Sequence, residues 1–322
     1  MRRWVATLVA LLGLTGCASA AGPPGGRTPS VAVPRPGGAQ DRALLASAGP
    51  AADCDARASF RPTGTLPPPG QLPPASSMAR IVQKGRLVVG VSQDAYLFGY
   101  RDSGTGQLVG FDIDIAYEMA KALFGDPSKI QFKAISSADR IPAIQRGDVD
   151  LVVRQTTMTC ARWNDVYFSS EYYSAAQRVL VPSNSTVTSL DGLAGKRVCA
   201  AAQTTSIANI VAKLPQAQPV STVDASDCLV MLQQGQVDAI STDDAILAGF
   251  AAEDPNTRLL DTPPLSAEPY GIMIAQSGKD LVQFVNGVLA RLRDDGTWAA
   301  IYRRWLTRLG PPPAPPVARY RD

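Results

Sequence analysis

Beyond residue 78 the apolar positions of the chain fall into short β-branched runs that alternate with stretches of helical period. Leu87-Val88-Val89-Gly90-Val91 reads as a buried strand, preceded by a short helix from Arg80 that stops at Gly85. From Phe111 to Leu123 apolar residues recur every three or four positions. Asp112 and Asp114 fall in the first turn, where the helix dipole favours negative charge. Lys129 to Ile135 predicts a second strand, Arg140 to Arg146 a helix ended by Gly147, and Val149 to Val153 a third strand. Strand, helix, strand, helix, strand in that order predicts a parallel sheet with right-handed crossovers.

A second cycle begins at Ser189. Arg197 to Ala201 is a strand, Gln203-Thr204-Thr205-Ser206 caps a helix to about Leu214, and Pro219 to Val223 is a strand. The helix Cys228 to Gly235 and the strand Val237 to Ser241 follow. Helix, Gly, x, Val-Asp, apolar strand is one phrase used twice, over Ala143 to Val153 and over Leu229 to Ile240. The pattern therefore predicts an α/β protein of two similar lobes whose strand ends face each other across a cleft. Lobe 1 takes 78–177 and 272–310, and lobe 2 takes 178–271. The extended segments 178–182 and 268–275 join them as a two-segment hinge. The helix Asp280 to Asp295 and the segment Gly296 to Leu306 return to the first lobe.

The ends of the chain carry different signals. Met1-Arg2-Arg3 gives a positive start, Trp4 to Leu14 an apolar stretch, and Leu14-Thr15-Gly16-Cys17 a small-residue cleavage site. This is a secretory signal peptide over 1–17, too short to span a membrane. Its ending resembles a bacterial lipobox, which makes Cys17 the lipid-bearing first residue of the mature chain. An ordinary signal peptide cut elsewhere is the alternative. Residues 18–77 are crowded with Pro, Gly and Ala, without sustained period, and read as a disordered or polyproline-like tether. The Pro-rich end, 311–322, reads as a second spacer.

With Cys17 assigned to lipid, Cys54, Cys160, Cys199 and Cys228 remain. In an exported chain an even number suggests disulfides, in any of three pairings. Cys199 and Cys228 belong to one lobe, which favours Cys199-Cys228 and therefore Cys54-Cys160. Metal binding is disfavoured, since the chain has no histidine and no Cys-x-x-Cys, and no cofactor is expected. A net charge of +3 without a long basic stripe gives nucleic-acid binding no support.

Candidate chemistry concentrates after Val153. Arg154-Gln155-Thr156-Thr157-Met158-Thr159-Cys160-Ala161-Arg162 follows a strand, where open α/β sheets bind ligands, and combines guanidinium, hydroxyls and backbone amides suited to a carboxylate. Thr204 and Thr205 open a helix whose amides and dipole favour an anion.

From Arg80 to Leu306 the ordered motifs resemble the family 3 periplasmic solute-binding proteins, the polar amino acid receptors of ABC importers. These motifs are Gly85-x-Leu87-x-Val89-Gly90-Val91, Gly110-Phe111-Asp112-Ile113-Asp114 and Arg140-Ile141-Pro142-Ala143-Ile144-x-x-Gly147-x-x-Asp150. Thr157-x-Thr159-x-x-Arg162, Phe168-Ser169-x-x-Tyr172-Tyr173 and Asp238-Ala239-x-x-x-Asp243 follow in the family's order. Within the family the chain looks most like glutamate- and glutamine-type binding lipoproteins of actinobacteria. The resemblance implies a type II periplasmic-binding-protein fold and a monomer on the outer face of the cytoplasmic membrane. It also implies that Arg162 grips the ligand's α-carboxylate, with Thr157 adding a hydroxyl or amide contact and Thr204 and Thr205 closing from the other lobe. Asp243 takes the α-ammonium group, and Tyr96 and Phe98 form an aromatic wall. Asp94 and Gln155 are further contributors.

Ser137 and Arg140 align with residues that hold a side-chain carboxylate in aspartate- and glutamate-binding members, with Arg154 and Arg101 as spare cations. L-glutamate or L-aspartate is therefore favoured, and glutamine or asparagine remain open. Ser92 and Ala225 stand where acidic binders carry Arg and His, implying partly different side-chain recognition. The membrane partner is either an ABC permease or a signalling sensor. A prephenate or arogenate dehydratase on the same fold is the enzymatic alternative, but no cleft carboxylate is free to act as its general acid.

Overall fold

The apolar runs become two sheets, each flanked by helices. The computed structural model describes residues 33–46 and 53–321, so the expected signal peptide and Cys17 lie outside the described residues. The first lobe holds β1 (Ala58–Phe60), α1 (Ser77–Gln83), β2 (Leu87–Val91), β3 (Asp94–Ala95), β4 (Gly99–Arg101) and β5 (Leu108–Val109). It continues with α2 (Phe111–Phe124), β6 (Ile130–Ala134), α3 (Arg140–Gln145), β7 (Leu151–Val152), α4 (Cys160–Trp163) and β8 (Tyr167–Phe168). β9 (Tyr173–Pro182) crosses to β10 (Arg197–Ala201), α5 (Thr205–Lys213), β11 (Gln218–Thr222), α6 (Ala225–Gln233), β12 (Ala239–Asp243), α7 (Asp244–Glu253) and β13 (Thr257–Leu259). β14 (Ser266–Tyr270) leads back to β15 (Met273–Ile274), α8 (Lys279–Asp294), α9 (Thr297–Trp305) and β16 (Arg319–Arg321).

Both sheets follow one plan. In the first, β6, β2 and β7 are parallel and β15 runs antiparallel beside β7. In the second, β11, β10 and β12 are parallel and β9 runs antiparallel beside β12. The repeated Val-Asp phrase supplies the same stitch in each lobe. Asp150 accepts the Val88 N–H at 2.9 Å and returns its own N–H to the Val88 carbonyl at 2.8 Å; Asp238 does so with Arg197 at 2.8 and 2.9 Å. Strand starts are thus pinned, and the carboxyl ends are left to carry the loops. Along β10, Val198 and Ala200 enter one apolar cluster and Cys199 the other, as expected of a strand covered on both faces. Gly110 enters α2 at φ +133°, where any Cβ would strike the Phe98 carbonyl.

The expected tether is corrected over its described parts. Cys54 is bonded to Cys160, Trp163 donates to the Ala56 carbonyl at 2.8 Å, and Leu66 and Leu72 pack on the first lobe's core. β1 pairs in parallel with β16, so the terminal stretch 311–322 ends in a strand instead of a spacer. Residues 35–46 lie along the edge of the second lobe: Gln40 and Ser221 exchange backbone bonds of 2.8 Å, and Gln203 donates to the Leu44 carbonyl at 2.7 Å. Pro and Ala lose little side-chain entropy on ordering, so a few anchors hold such a segment without periodicity. The hinge is corrected as well. Residues 178–182 lie inside the second sheet, paired with β12 and β13, and the crossing strand is Tyr173–Gln177 against β14. The second disulfide, Cys199–Cys228, ties β10 to α6.

Candidate functional site

The carboxyl ends of β2, β7, β10 and β12 converge on one cavity. Ser137, Arg140, Arg154, Gln155, Thr157 and Arg162 line it from the first lobe, and Thr204, Thr205 and Asp243 from the second. Two loops enter through non-glycine residues in the left-handed region, Gln155 at φ 32° after β7 and Gln203 at φ 58° after β10. Such strain at matching points marks loops held for a purpose.

Tyr96 and Phe98 do not line the cavity. The turn between β3 and β4 sends Phe98 into the core among Phe111, Tyr173 and Tyr270, fully buried, and sets the Tyr96 ring edge-on to Tyr100 at 4.9 Å. Apolar lining comes from Ile246 and Phe250 of α7. Arg101 is exposed and donates to the Gly106 carbonyl at 2.7 Å, away from the cavity.

Arg162 sits on α4, whose N-cap Thr159 accepts the Arg162 N–H at 3.2 Å. Its Nη1 donates to the Thr157 carbonyl at 2.8 Å, and no carboxylate lies within ion-pair distance among the described residues. Burial lowers its pKa, while Glu268 and Asp243 oppose the shift. Asp243, only 4% exposed, ends β12. Its Oδ2 accepts the Tyr270 hydroxyl at 2.6 Å, and its Oδ1 has no partner among the described residues. Burial first, then the nearby Glu268, pushes this carboxyl up to about 8. An unpaired guanidinium and an unpaired carboxyl on opposite lobes form a receptor for a zwitterion.

Several bonds join the lobes across the cleft. Arg154 pairs with Asp224 at 2.9 Å and donates to the Ser137 hydroxyl at 2.8 Å. Ser226 donates to Asp94, which also accepts the Ser92 hydroxyl at 2.7 Å. Thr157 and Thr205 both donate to Glu268, at 2.6 and 2.8 Å. Each threonine has one hydroxyl hydrogen, so neither can also donate to a ligand carboxylate while this bond stands. Thr204 is spent differently, capping α5 and donating to the Ala201 carbonyl at 2.7 Å.

Arg140 also lines the cavity and is 5% exposed. Its bonds go to neutral oxygens: Ser137 carbonyl at 2.9 Å, Gln155 carbonyl at 3.3 Å and Thr156 Oγ1 at 3.2 Å. Burial, then Arg162 and Arg154 beside it, holds its pKa well below the usual arginine range. Gln155 is tied from beneath, donating both its backbone and side-chain N–H to Asp112. Burial raises Asp112 to about 7 against these bonds and that of Tyr172. Sequence reasoning missed Asp224, Ser226, Ile246, Phe250 and Glu268. Only Asp224 left a signal, as the first residue of the capping box Asp224-x-x-Asp227.

Two α/β lobes closing on a buried cation and a buried acid define a bilobal amino acid receptor of the type II binding-protein class. The chain belongs to the bacterial extracellular solute-binding proteins, family 3, which it matches over residues 87–308. It is 38% identical over 231 residues to the ABC transporter glutamine-binding protein GlnH of Bacillus subtilis, covering 71% of this chain and 84% of that one. It is 38% identical over 206 residues to a glutamine-binding protein of Geobacillus stearothermophilus, covering 64% and 78%. Among solved structures it resembles the solute receptor for L-cysteine of Neisseria gonorrhoeae, with a TM-score of 0.69, 30% identity, and coverage of 72% and 94%. The protein is an extracellular solute-binding protein and not an enzyme, so the dehydratase alternative falls.

Proposed function

We propose that the cleft binds an acidic L-amino acid, glutamate or aspartate, and delivers it to an ABC importer when the lobes close. Arg140 carries this reading: a buried guanidinium whose bonds end on neutral oxygens lacks a counter-anion. Arg154 already has Asp224 as its partner at 2.9 Å, which leaves Arg140 and Arg162 as the lining guanidiniums whose own hydrogen bonds end on neutral oxygens. A ligand with two carboxylates gives each of them an anionic partner. Arg162 takes the α-carboxylate, Asp243 the α-ammonium group, and Arg140 with Ser137 the side-chain carboxylate.

Glutamine is the second reading. Two relatives at 38% identity are named as glutamine-binding, and Asp94 offers an acceptor to an amide N–H. Calorimetric titration with Glu, Asp, Gln and Asn decides: Glu or Asp tightest supports Arg140 as the side-chain receptor, and Gln tightest removes it. We further propose that Cys17 carries the lipid, which palmitate labelling of wild type but not of Cys17→Ala would support.

A further inference from the structure

We propose that Glu268, through the hinge strand β14, is a positioning residue that sets the polarity of the α-amino subsite and makes the cleft demand an ammonium group. The inference rests on the α-amino acid reading above and goes beyond it. Glu268 is 1% exposed, does not line the cavity, and touches no ligand position itself. It accepts from Thr157 of the first lobe at 2.6 Å, from Thr205 of the second at 2.8 Å, and from Asn209 at 3.2 Å and Ser266. Both threonines line the cavity, with hydroxyl oxygens 3.3 Å apart.

Because each hydroxyl hydrogen is drawn back to Glu268, the oxygens present lone pairs and no proton to the ligand. Tyr270, two residues along the same strand face, does the same to Asp243. It occupies Oδ2 from behind at 2.6 Å and leaves Oδ1 unpartnered in the interior. Three acceptors on two lobes are thus bonded from the rear by one strand. Once Asp243 is ionised, these acceptors have no hydrogen to give and bind a multiple donor, and an ammonium group offers three. An uncharged or deaminated analogue would leave these acceptors buried and empty. Without Glu268 the hydroxyls could rotate, donate to a carboxylate, and lose this discrimination.

The test compares L-glutamate with glutarate, its deamino analogue, by titration calorimetry on wild type, Glu268→Ala, Glu268→Leu and Glu268→Gln. Glu268→Ala or Glu268→Leu, whichever folds by circular dichroism, should weaken glutamate by roughly tenfold or more and glutarate by less than about threefold, so the selectivity ratio falls. Glu268→Gln keeps an acceptor oxygen and should hold the ratio within about threefold of wild type. Equal weakening of both ligands, or an unchanged ratio in the Ala and Leu variants, overturns the proposal. If wild type prefers another amino acid, the ligand reading fails. The same ratio, measured with that amino acid and its deamino analogue, still decides the role of Glu268.

Discussion

If Asp243 receives the ligand's ammonium group as proposed, ligand binding below pH 8 should expel a proton from it. In the ligand-free cleft, burial and Glu268 hold this carboxyl up to about 8, so at neutral pH it is mostly protonated. The ligand's ammonium group requires the carboxylate, and among the described residues no other buried acid lining the cavity has an unpartnered oxygen. Only the ionised fraction is competent, about one tenth at pH 7 and about one hundredth at pH 6, and apparent Kd rises in inverse proportion. Because the free-protein pKa is raised above that of the complex, affinity improves as pH rises and levels off above 8. From pH 8, where about half is ionised, to pH 6, Kd should weaken by roughly fiftyfold, or about 2.3 kcal/mol at 1.36 kcal/mol per tenfold. Titration calorimetry in two buffers of different ionisation enthalpy reads the protons directly: about one released at pH 6 and about half of one at pH 8. Asp243→Asn should abolish the release, whereas Asp112→Asn should retain it, because Asp112 faces Gln155 and Tyr172 and not the cavity. A Kd that stays constant from pH 6 to 8, with no proton released at pH 6, would refute the reasoning.

Stability of the ligand-free protein should also follow these two acids. Their folded pKa values, about 7 for Asp112 and about 8 for Asp243, are raised, so the stability they add is complete below about pH 4 and lost as pH climbs through 7 and 8. A Tm scan from pH 5 to 9 should fall, and a flat scan in wild type would contradict both assignments. Arg162→Ala should weaken every amino acid by more than about a hundredfold while leaving the Tm nearly unchanged; affinity within threefold of wild type would sink the clamp. Opening Cys199–Cys228 with serines, across a sequence separation of 29, should cost about 3.5 kcal/mol in urea unfolding, and a loss below about 1 kcal/mol would argue against a stabilising bridge. In a double-mutant cycle, Arg154→Ala and Asp224→Ala should couple by roughly 1–3 kcal/mol in ligand affinity, since their pair forms across the cleft; additive effects would show that it does not support closure.

The sequence shows the lobes well because each is built from strands with apolar side chains on both faces, and a repeated Asp pins each strand start. The loops at the strand ends also left a signal: Arg162, Thr157, Thr205 and Asp243, singled out from strand order and the family's motifs, line one cavity. What failed was periodicity applied to segments held by single anchors. Residues 53–77 are pinned by one disulfide, Ser59 and a few apolar side chains, and such anchors leave no recurring signal. Phe98 failed for the opposite reason. An aromatic residue beside a cleft and one in a core share the same sequence, and only the turn between β3 and β4 separates them. Glu268 was invisible because its role comes from groups 111 and 63 residues away that meet only at the hinge.

The closing contacts divide into those that need a ligand and those that do not, and the division explains how a ligand can shift the balance. Arg154 with Asp224, Ser226 with Asp94, and both threonines with Glu268 are made by the protein alone. They give the closed form its geometry. Arg162 and Asp243 Oδ1 gain nothing from that closure by themselves, because closing takes a guanidinium and a carboxyl out of water without pairing them. The desolvation therefore opposes the empty closed state, and a zwitterion that reaches both groups removes the penalty at each end. A ligand moves such an equilibrium only by its differential affinity for the two states. On the proposed binding mode that differential resides in Arg162 and Asp243, on opposite lobes. A ligand lacking either the carboxylate or the ammonium group would still enter the cleft but would leave one buried charge unmatched, and so would favour closure less than an intact amino acid.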